Sequence, residues 1–214
     1  MTRDASPGTT LTARRARLTS TPVRLDLVVG PNGAGKSTFV ELVLAPLRPA
    51  VPFVNADVIA AARWPEDPMG HAYEAARVAA ATRDALIAAG EPFIAETVFS
   101  HESKLDLIDR AQDAGYTVAL HVLMIPLELS FQRVAHRVAA GGHPVPDDKI
   151  RGRYARIWPL VVQAIDRADM AVAYDNSRID GPEEIAMFAG GFPVGPCRWP
   201  RWAPRDISSH WPRG

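Results

Sequence analysis

The sequence predicts an α/β fold: a mostly parallel five-stranded sheet with helices on both faces and a helical lid. Three features point to it. Short apolar runs alternate with longer segments of helical composition, which implies strands joined by crossover helices. The first apolar run ends directly in a glycine-rich turn, Gly30-Pro31-Asn32-Gly33-Ala34-Gly35-Lys36-Ser37, and a helix-forming stretch follows it. Further on, two arginine-bearing helical stretches flank a Gly/Pro loop, as the parts of a lid do.

The elements follow in order. Residues 1–22 are polar and aperiodic, a flexible leader. Val23 to Val29 is a buried strand. Lys36 to Leu47 reads as a helix, broken at Pro46 and Pro49. Val51 to Val54 is a second strand, and Asp57 after it can cap the next helix. Gly70 to Ala89 is a long alanine-rich helix ended by Gly90. Pro92 to Ala95 is a third strand running into Glu96-Thr97, and Lys104 to Ala114 is a helix stopped by Gly115. Tyr116 to Ile125 is apolar almost throughout, a strand buried on both faces. Leu127 to Ala140 and Asp147 to Ala168 are helical, the latter with a kink expected at Pro159. Met170 to Tyr174 is the fifth strand, and Pro182 to Phe188 a short helix. This divides the chain into a leader (1–22), a main α/β domain (23–189) and an irregular Pro/Trp/Arg-rich tail (190–214). The tail is either disordered or a strap, with Trp199, Trp202 and Trp211 available to pack on the body or on a partner.

Bulk properties bound the function. Of 214 residues, 47 % are apolar and 22 % charged, an ordinary globular composition. Lys plus Arg (24) equals Asp plus Glu (24), so no global charge points to nucleic acid or a membrane surface. The single cysteine, Cys197, excludes an internal disulfide framework and a multi-cysteine metal site. No run reaches the roughly 18 apolar residues of a membrane span. A cytoplasmic location is expected.

The turn at Gly30–Ser37 matches the Walker A pattern in full and sits between a strand and a helix, which identifies a P-loop NTPase fold. Glycines let the backbone wrap a phosphate and aim its N–H groups inward, and the helix that follows adds its positive end. Lys36 can reach the β- and γ-phosphates of a nucleoside triphosphate, Ser37 suits Mg²⁺, and Thr38 starts the helix. The loop alone also fits transporter-type ATPases. Those need a Leu-Ser-Gly-Gly-Gln signature and a strand ending in Asp-Glu, and neither occurs: Leu129-Ser130-Phe131-Gln132 lacks the glycines. No Asn-Lys-x-Asp appears to specify guanine.

Other residues favour a small-molecule kinase. Asp57 follows the second strand and so faces the crevice at the carboxyl ends of a parallel sheet, where a carboxylate can take a proton from an attacking hydroxyl. Glu96, at the matching end of the third strand, can hold Mg²⁺ or a substrate hydroxyl, with Thr97 beside it; the bland alternative is a surface carboxylate. Arg133, Arg137, Arg151, Arg153 and Arg156 flank Gly141-Gly142-His143-Pro144-Val145-Pro146. They serve either as a lid over the γ-phosphate or as a solvated basic face. His143 either touches phosphate or packs the loop.

At these residues the sequence resembles the zeta-toxin family of P-loop kinases, in particular its small stand-alone members. The matching pieces are Gly30 to Thr38, Asn55-Ala56-Asp57, Glu96-Thr97-Val98-Phe99-Ser100, Gly141 to Pro146, Ile150 to Arg156, and Tyr174-Asp175-Asn176-Ser177. The resemblance implies an ATP-dependent phosphotransferase with Mg²⁺ and an alcohol acceptor, such as the UDP-N-acetylglucosamine that better-known zeta toxins phosphorylate. It also implies a small antitoxin protein as partner. By analogy Asp57 is the base, Lys36 and Ser37 bind phosphate and metal, Arg137 and Arg153 are lid arginines, and Asn176 lies near the nucleotide base. Two other classes stay open: a regulatory module in which ATP is a structural ligand, and an RNA 5′-hydroxyl kinase, against which the zero net charge weighs.

Overall fold

In the computed structural model, which describes residues 23–140, 142 and 145–214, the chain is built on β1 (Arg24–Val29), buried from Leu25 onward. The leader, Gly141, His143 and Pro144 lie outside the described residues. Leu25, Leu27 and Val29 point to one side of the sheet and Val28 to the other, so the strand must be central and covered twice. Its neighbours are β3 (Phe93–Thr97) and β4 (Thr117–Met124), both parallel to it. The two-residue β2 (Phe53–Val54) lies outside β3, and β5 (Met170–Asp175) outside β4, again parallel.

The sheet has seven strands, not the five expected, in the order β2-β3-β1-β4-β5-β6-β7. The segment expected as a short helix over 182–188 is instead β6 (Glu183–Ala189), antiparallel to β5. Its Glu, Ala and Met residues favour helix locally. The edge of β5 offers a ladder, and pairing there buries Ile185, Ala186 and Phe188, so tertiary context overrides propensity. A turn through Gly190 and Gly191 then lays β7 (Phe192–Pro193) against β6. Both edge strands are two residues long, and proline stands at each: Pro52 just before β2 and Pro193 within β7.

Helices cover both faces. After the glycine-rich loop the chain runs as α1 (Lys36–Phe39), a π-helical turn (Val40–Leu44) and α2 (Ala45–Leu47). Phe39, Val40 and Leu44 pack there against Val28, Ile94 and Leu123. The larger core on the opposite face takes α5 (Leu105–Asp113), α7 (Asp147–Arg167) and part of α4 (Ala72–Ala89), with Ile108, Ile157, Val161 and Ala79 buried among strand residues. α7 continues through Pro159. α3 (Ala56–Arg63) and α6 (Leu127–Ala139) complete the set around the carboxyl ends of the strands.

The tail packs on the body. Phe188 stacks with Trp199 and lies 4.7 Å, ring to ring, from Trp211, and Trp199 Nε1 donates to the Trp211 carbonyl at 2.7 Å. The short α8 (Arg205–His210) buries Ile207 beside them, and Cys197 is buried too.

One charge sits inside the sheet. Asp26, fully buried on β1, accepts from Arg24 Nε at 2.9 Å, has His121 Nε2 at 2.9 Å and Arg48 Nε at 3.6 Å. Burial pushes its pKa up, but the bonds from His121 and Arg24 outweigh that and hold the carboxyl below its ordinary value.

Candidate active site

The strand order places a switch point between β1 and β3: the chain leaves β1 toward β2 and leaves β3 toward β4. Ligands of open parallel sheets bind in the crevice that opens there. The glycine-rich loop follows β1 into this crevice, and Glu96 and Thr97 end β3 beside it, level with Val28 and Val29.

The loop is pinned from three directions. Ser130 Oγ on α6 donates to the Asn32 carbonyl at 2.5 Å, Arg133 donates to the Gly33 carbonyl at 3.4 Å, and Asn176 Nδ2, just past β5, donates to the Ala34 carbonyl at 2.8 Å. Lys36 Nζ closes the loop on itself at the Pro31 carbonyl, 3.0 Å away. Glycine is required at Gly35, whose φ is +78° and whose added Cβ would stand 2.7 Å from Asn176 Nδ2. At Gly30 a Cβ would stand 2.4 Å from the Leu123 carbonyl oxygen of β4, which cannot move aside.

Glu96 organises the floor. Its Oε2 accepts from Ser37 Oγ at 2.7 Å and from Asn55 Nδ2 at 2.6 Å, and its Oε1 lies 3.9 Å from Lys36 Nζ. Lys36 is 7 % exposed, and burial lowers its pKa; Glu96 and Asp57 oppose this while Arg137 and Arg153 add to it. Those four side chains therefore share one electrostatic site with Lys36. Asn55, buried, is the cap of α3: its Oδ1 accepts from the Asp57 and Val58 amides at 2.7 and 3.3 Å. Asp57 is thus not the cap. Its carboxylate stays exposed in the first turn of α3.

A cavity of about 240 Å³ adjoins this cluster, lined by Asp57, Glu96, Thr97 and Arg153 together with Arg83 and Lys104. Thr97 Oγ1 also accepts from the Phe99 amide at 3.4 Å, helping to turn the chain at Phe99, whose φ is +57°. On the other side of the loop a hollow of about 400 Å³ is lined by Gly35, Thr38, Leu42, Arg133, Asn176 and Arg178. The loop thus stands between two spaces, one carboxylate-bearing and one mixed polar and apolar.

The five arginines expected to form a lid separate. Arg153 lines the cavity, and Arg137 reaches Lys36 electrostatically while its carbonyl accepts from the Gly142 amide at 2.8 Å. Arg133 holds the loop backbone. Arg151 lies over the Phe131 ring, 5.2 Å from its centroid, and joins α7 to α6. Arg156 is exposed. Tyr154 donates to the Ile125 carbonyl at 2.9 Å, and burial pushes its phenol up to about 12, so it stays a neutral donor.

Sequence reasoning missed Asn55, Ser130, Arg83 and Lys104 as parts of the site. Asn55, the residue after a strand and two before Asp57, carried a usable capping signal. Ser130, fully buried, stood in a tetrapeptide read only for its missing glycines. Arg83 and Lys104 carried no signal, because tertiary folding alone brings them to the cavity.

Among the described residues no group of three or more His, Cys, Asp or Glu is placed to hold a metal alone. The Ser37 hydroxyl and Glu96 carboxylate nevertheless form an oxygen pair suited to Mg²⁺, which takes few protein ligands and completes its shell with water and phosphate. No described helix is long and apolar enough to cross a membrane.

A search of curated proteins finds no match. Solved structures share the fold. A chain of the PezAT chromosomal toxin-antitoxin system of Streptococcus pneumoniae is 15 % identical with a TM-score of 0.57, over 84 % of this chain and 81 % of that one. The AvrRxo1-ORF1:-ORF2 structure with ATP is 17 % identical with a TM-score of 0.64, over 85 % of this chain and 63 % of that one. A chain of the Pnkp1/Rnl/Hen1 RNA repair complex is 18 % identical with a TM-score of 0.56, over 69 % and 48 %. The sheet order and the phosphate loop make the architecture that of a P-loop NTPase, and these solved structures share its fold. The AAA domain family model matches residues 25–159, more than half of the sequence, and the chain belongs to that family.

Proposed function

We propose that the protein is an ATP-dependent kinase that transfers the γ-phosphate to a hydroxyl of a small molecule. The observation that carries this reading is the convergence of Asp57, Glu96 and Arg153 on one cavity beside Lys36 and Ser37. A nucleotide-only site has no use for a carboxylate facing a second space. Phosphoryl transfer needs one, to orient the acceptor.

In this mechanism the backbone amides of Gly33 to Ser37 and the start of α1 hold the phosphates, with Thr38 and Asn176 on the side of the base-binding hollow. Lys36 and the lid residues Arg137 and Arg153 offset the charge that spreads over the γ-phosphoryl oxygens. Asp57 accepts the proton of the acceptor hydroxyl; the hydroxyl oxygen bonds to the γ-phosphorus, the bond to the β–γ bridging oxygen breaks, and ADP departs. Ser37 and Glu96 would hold Mg²⁺, which supplies charge neutralisation when bound. Glu96 and Thr97 position the acceptor.

The fold neighbours include a toxin-antitoxin system, which favours a second reading: a toxin of that type held by a small antitoxin protein. A nucleotide sugar such as UDP-N-acetylglucosamine belongs in any acceptor screen for that reason. The test is incubation with γ-labelled ATP and a panel of nucleotide sugars, sugars, sugar phosphates and nucleosides. Labelled product from wild type and at least a hundredfold less from Asp57→Ala supports the kinase. Label released only to water, or equal labelling by Asp57→Ala, sinks it. A growth defect on expression that survives Asp57→Ala would favour binding over catalysis.

A further inference from the structure

We propose that the open face of β5, β6 and β7 is the surface through which two copies of this chain associate, face to face and related by a twofold axis. This does not depend on the protein being a kinase.

Strands send successive side chains to opposite faces of a sheet. Ala171, Ala173, Ile185, Ala186 and Phe188 turn to the larger core, so Met170, Val172, Met187 and Ala189 turn the other way. The register sets them in two rows. Met170 lies beside Ala189 and Phe192, and Val172 beside Met187 and Val194, whose amide donates to the Met187 carbonyl at 2.7 Å. Farther along this face, α1 and the π-helical turn cover β1, β3 and β4 through Phe39, Val40 and Leu44. Among the described residues no helix continues over β5, β6 and β7. Met170, Met187, Phe192 and Val194 are 43 %, 41 %, 77 % and 55 % exposed. The water-facing side of an antiparallel ribbon is ordinarily polar, yet neither row contains a polar residue. A continuous exposed apolar patch of this kind marks an interaction surface.

The rim selects the partner. Glu184 and Arg198 line a hollow of about 170 Å³ together with Met187 and Val194, at one edge of the rows. Both are exposed, and neither side chain makes a hydrogen bond or an ion pair within 4 Å among the described residues. One unpaired acid and one unpaired base beside the same apolar rows make a surface complementary to itself. A twofold axis brings Glu184 of each copy toward Arg198 of the other, while the apolar rows interdigitate as stacked sheets do. An anionic membrane surface fits poorly, because Glu183 and Glu184 bring negative charge to this rim. Residues 1–22 supply only Met1, Leu11 and Leu18 as large apolar side chains, too few to fill two rows. The rows begin at Met170, the amino end of β5, whereas the phosphate loop lies at the carboxyl ends of the parallel strands, so both copies keep open sites. Six apolar side chains and a charged rim fall short of the roughly 800 Å² per partner of a standard stable interface. The dimer is therefore expected to be reversible, with a dissociation constant on the order of 10–100 µM.

The experiment is sedimentation velocity of the full chain over a series from low micromolar to several hundred micromolar. Wild type is expected to pass from monomer to dimer and stop there. Phe192→Asp and Met187→Glu should each raise the dissociation constant at least tenfold. Glu184→Arg and Arg198→Glu each set like charges across the axis and should do the same. Mixed in equal amounts, those two charge variants face each other with opposite signs. The mixture should therefore dimerise within about threefold of wild type, and so should the double variant Glu184→Arg/Arg198→Glu. ADP affinity and urea midpoint, unchanged in the variants, show that they fold. A wild type that stays monomeric throughout overturns the proposal, whether residues 1–22 or a different protein covers the face. So does a dimer that Phe192→Asp and Met187→Glu leave intact, or growth into larger species. A charge-variant mixture that dimerises no better than either variant alone overturns it as well.

Discussion

Replacing Asn55 with alanine removes two interactions at once. Its Oδ1 caps α3 through the Asp57 and Val58 amides, and its Nδ2 donates to Glu96 at 2.6 Å. Loss of such a cap costs about 1 kcal/mol. A hydrogen bond to a charged group contributes about 1.5–3 kcal/mol, and the low end applies because Glu96 keeps Ser37 and Lys36. The expected destabilisation of Asn55→Ala is therefore about 2.5 kcal/mol, or about 5–10 °C in Tm for a chain of this size. Asn55→Asp separates the two contributions. Aspartate caps as well as asparagine, but it sets a second carboxylate against Glu96. One of the pair then has a folded pKa above its unfolded value. A carboxylate raised in this way destabilises fully at neutral pH, and the penalty fades as pH falls below its folded pKa. Urea unfolding followed from pH 4 to pH 8 reads both. An Asn55→Ala cost below about 0.5 kcal/mol would refute the dual role, since the cap alone should exceed that. So would an Asn55→Asp penalty that does not shrink as pH falls.

Three further outcomes are expected. Ser130→Ala leaves the Asn32 carbonyl without its buried donor, costs about 1 kcal/mol in stability and loosens the phosphate loop, so calorimetry should show ADP affinity at least threefold weaker. Asp26 has a depressed folded pKa, so its contribution is complete above about pH 4, the unfolded carboxylate value, and is lost as pH falls through the folded one; Asp26→Asn should flatten that acid limb of the urea midpoint against pH. Trp211→Ala empties a 7 %-exposed site against Phe188 and should cost about 3–5 kcal/mol by thermal unfolding.

Much of this was legible from local signals. The loop at Gly30–Ser37 declared itself because its spacing is dictated by phosphate geometry, and β1 and β4 declared themselves by mostly apolar runs. The parallel alternation implied the crevice, and the crevice implied that Asp57 and Glu96 would come near Lys36. What stayed hidden depends on long-range pairing. β6 carries helix-favouring residues and becomes a strand only because β5 leaves an edge open. β7 and α8 form because three tryptophans and Phe188 find one another. Arg83 and Lys104 lie 21 positions apart on separate elements, with no periodicity to link them. Asp26 hides in an apolar run, since its partners Arg48 and His121 come from other elements.

The short edge strands limit how this protein can associate. β2 offers two residues for pairing and follows Pro52; β7 offers two, one of which, Pro193, has no N–H to give. An extended peptide laid along either side would find almost no ladder to continue. A protein that binds here must therefore grip side chains on helices and loops rather than add a strand, and its affinity should follow substitutions at the contact surface rather than backbone methylation of its own segment.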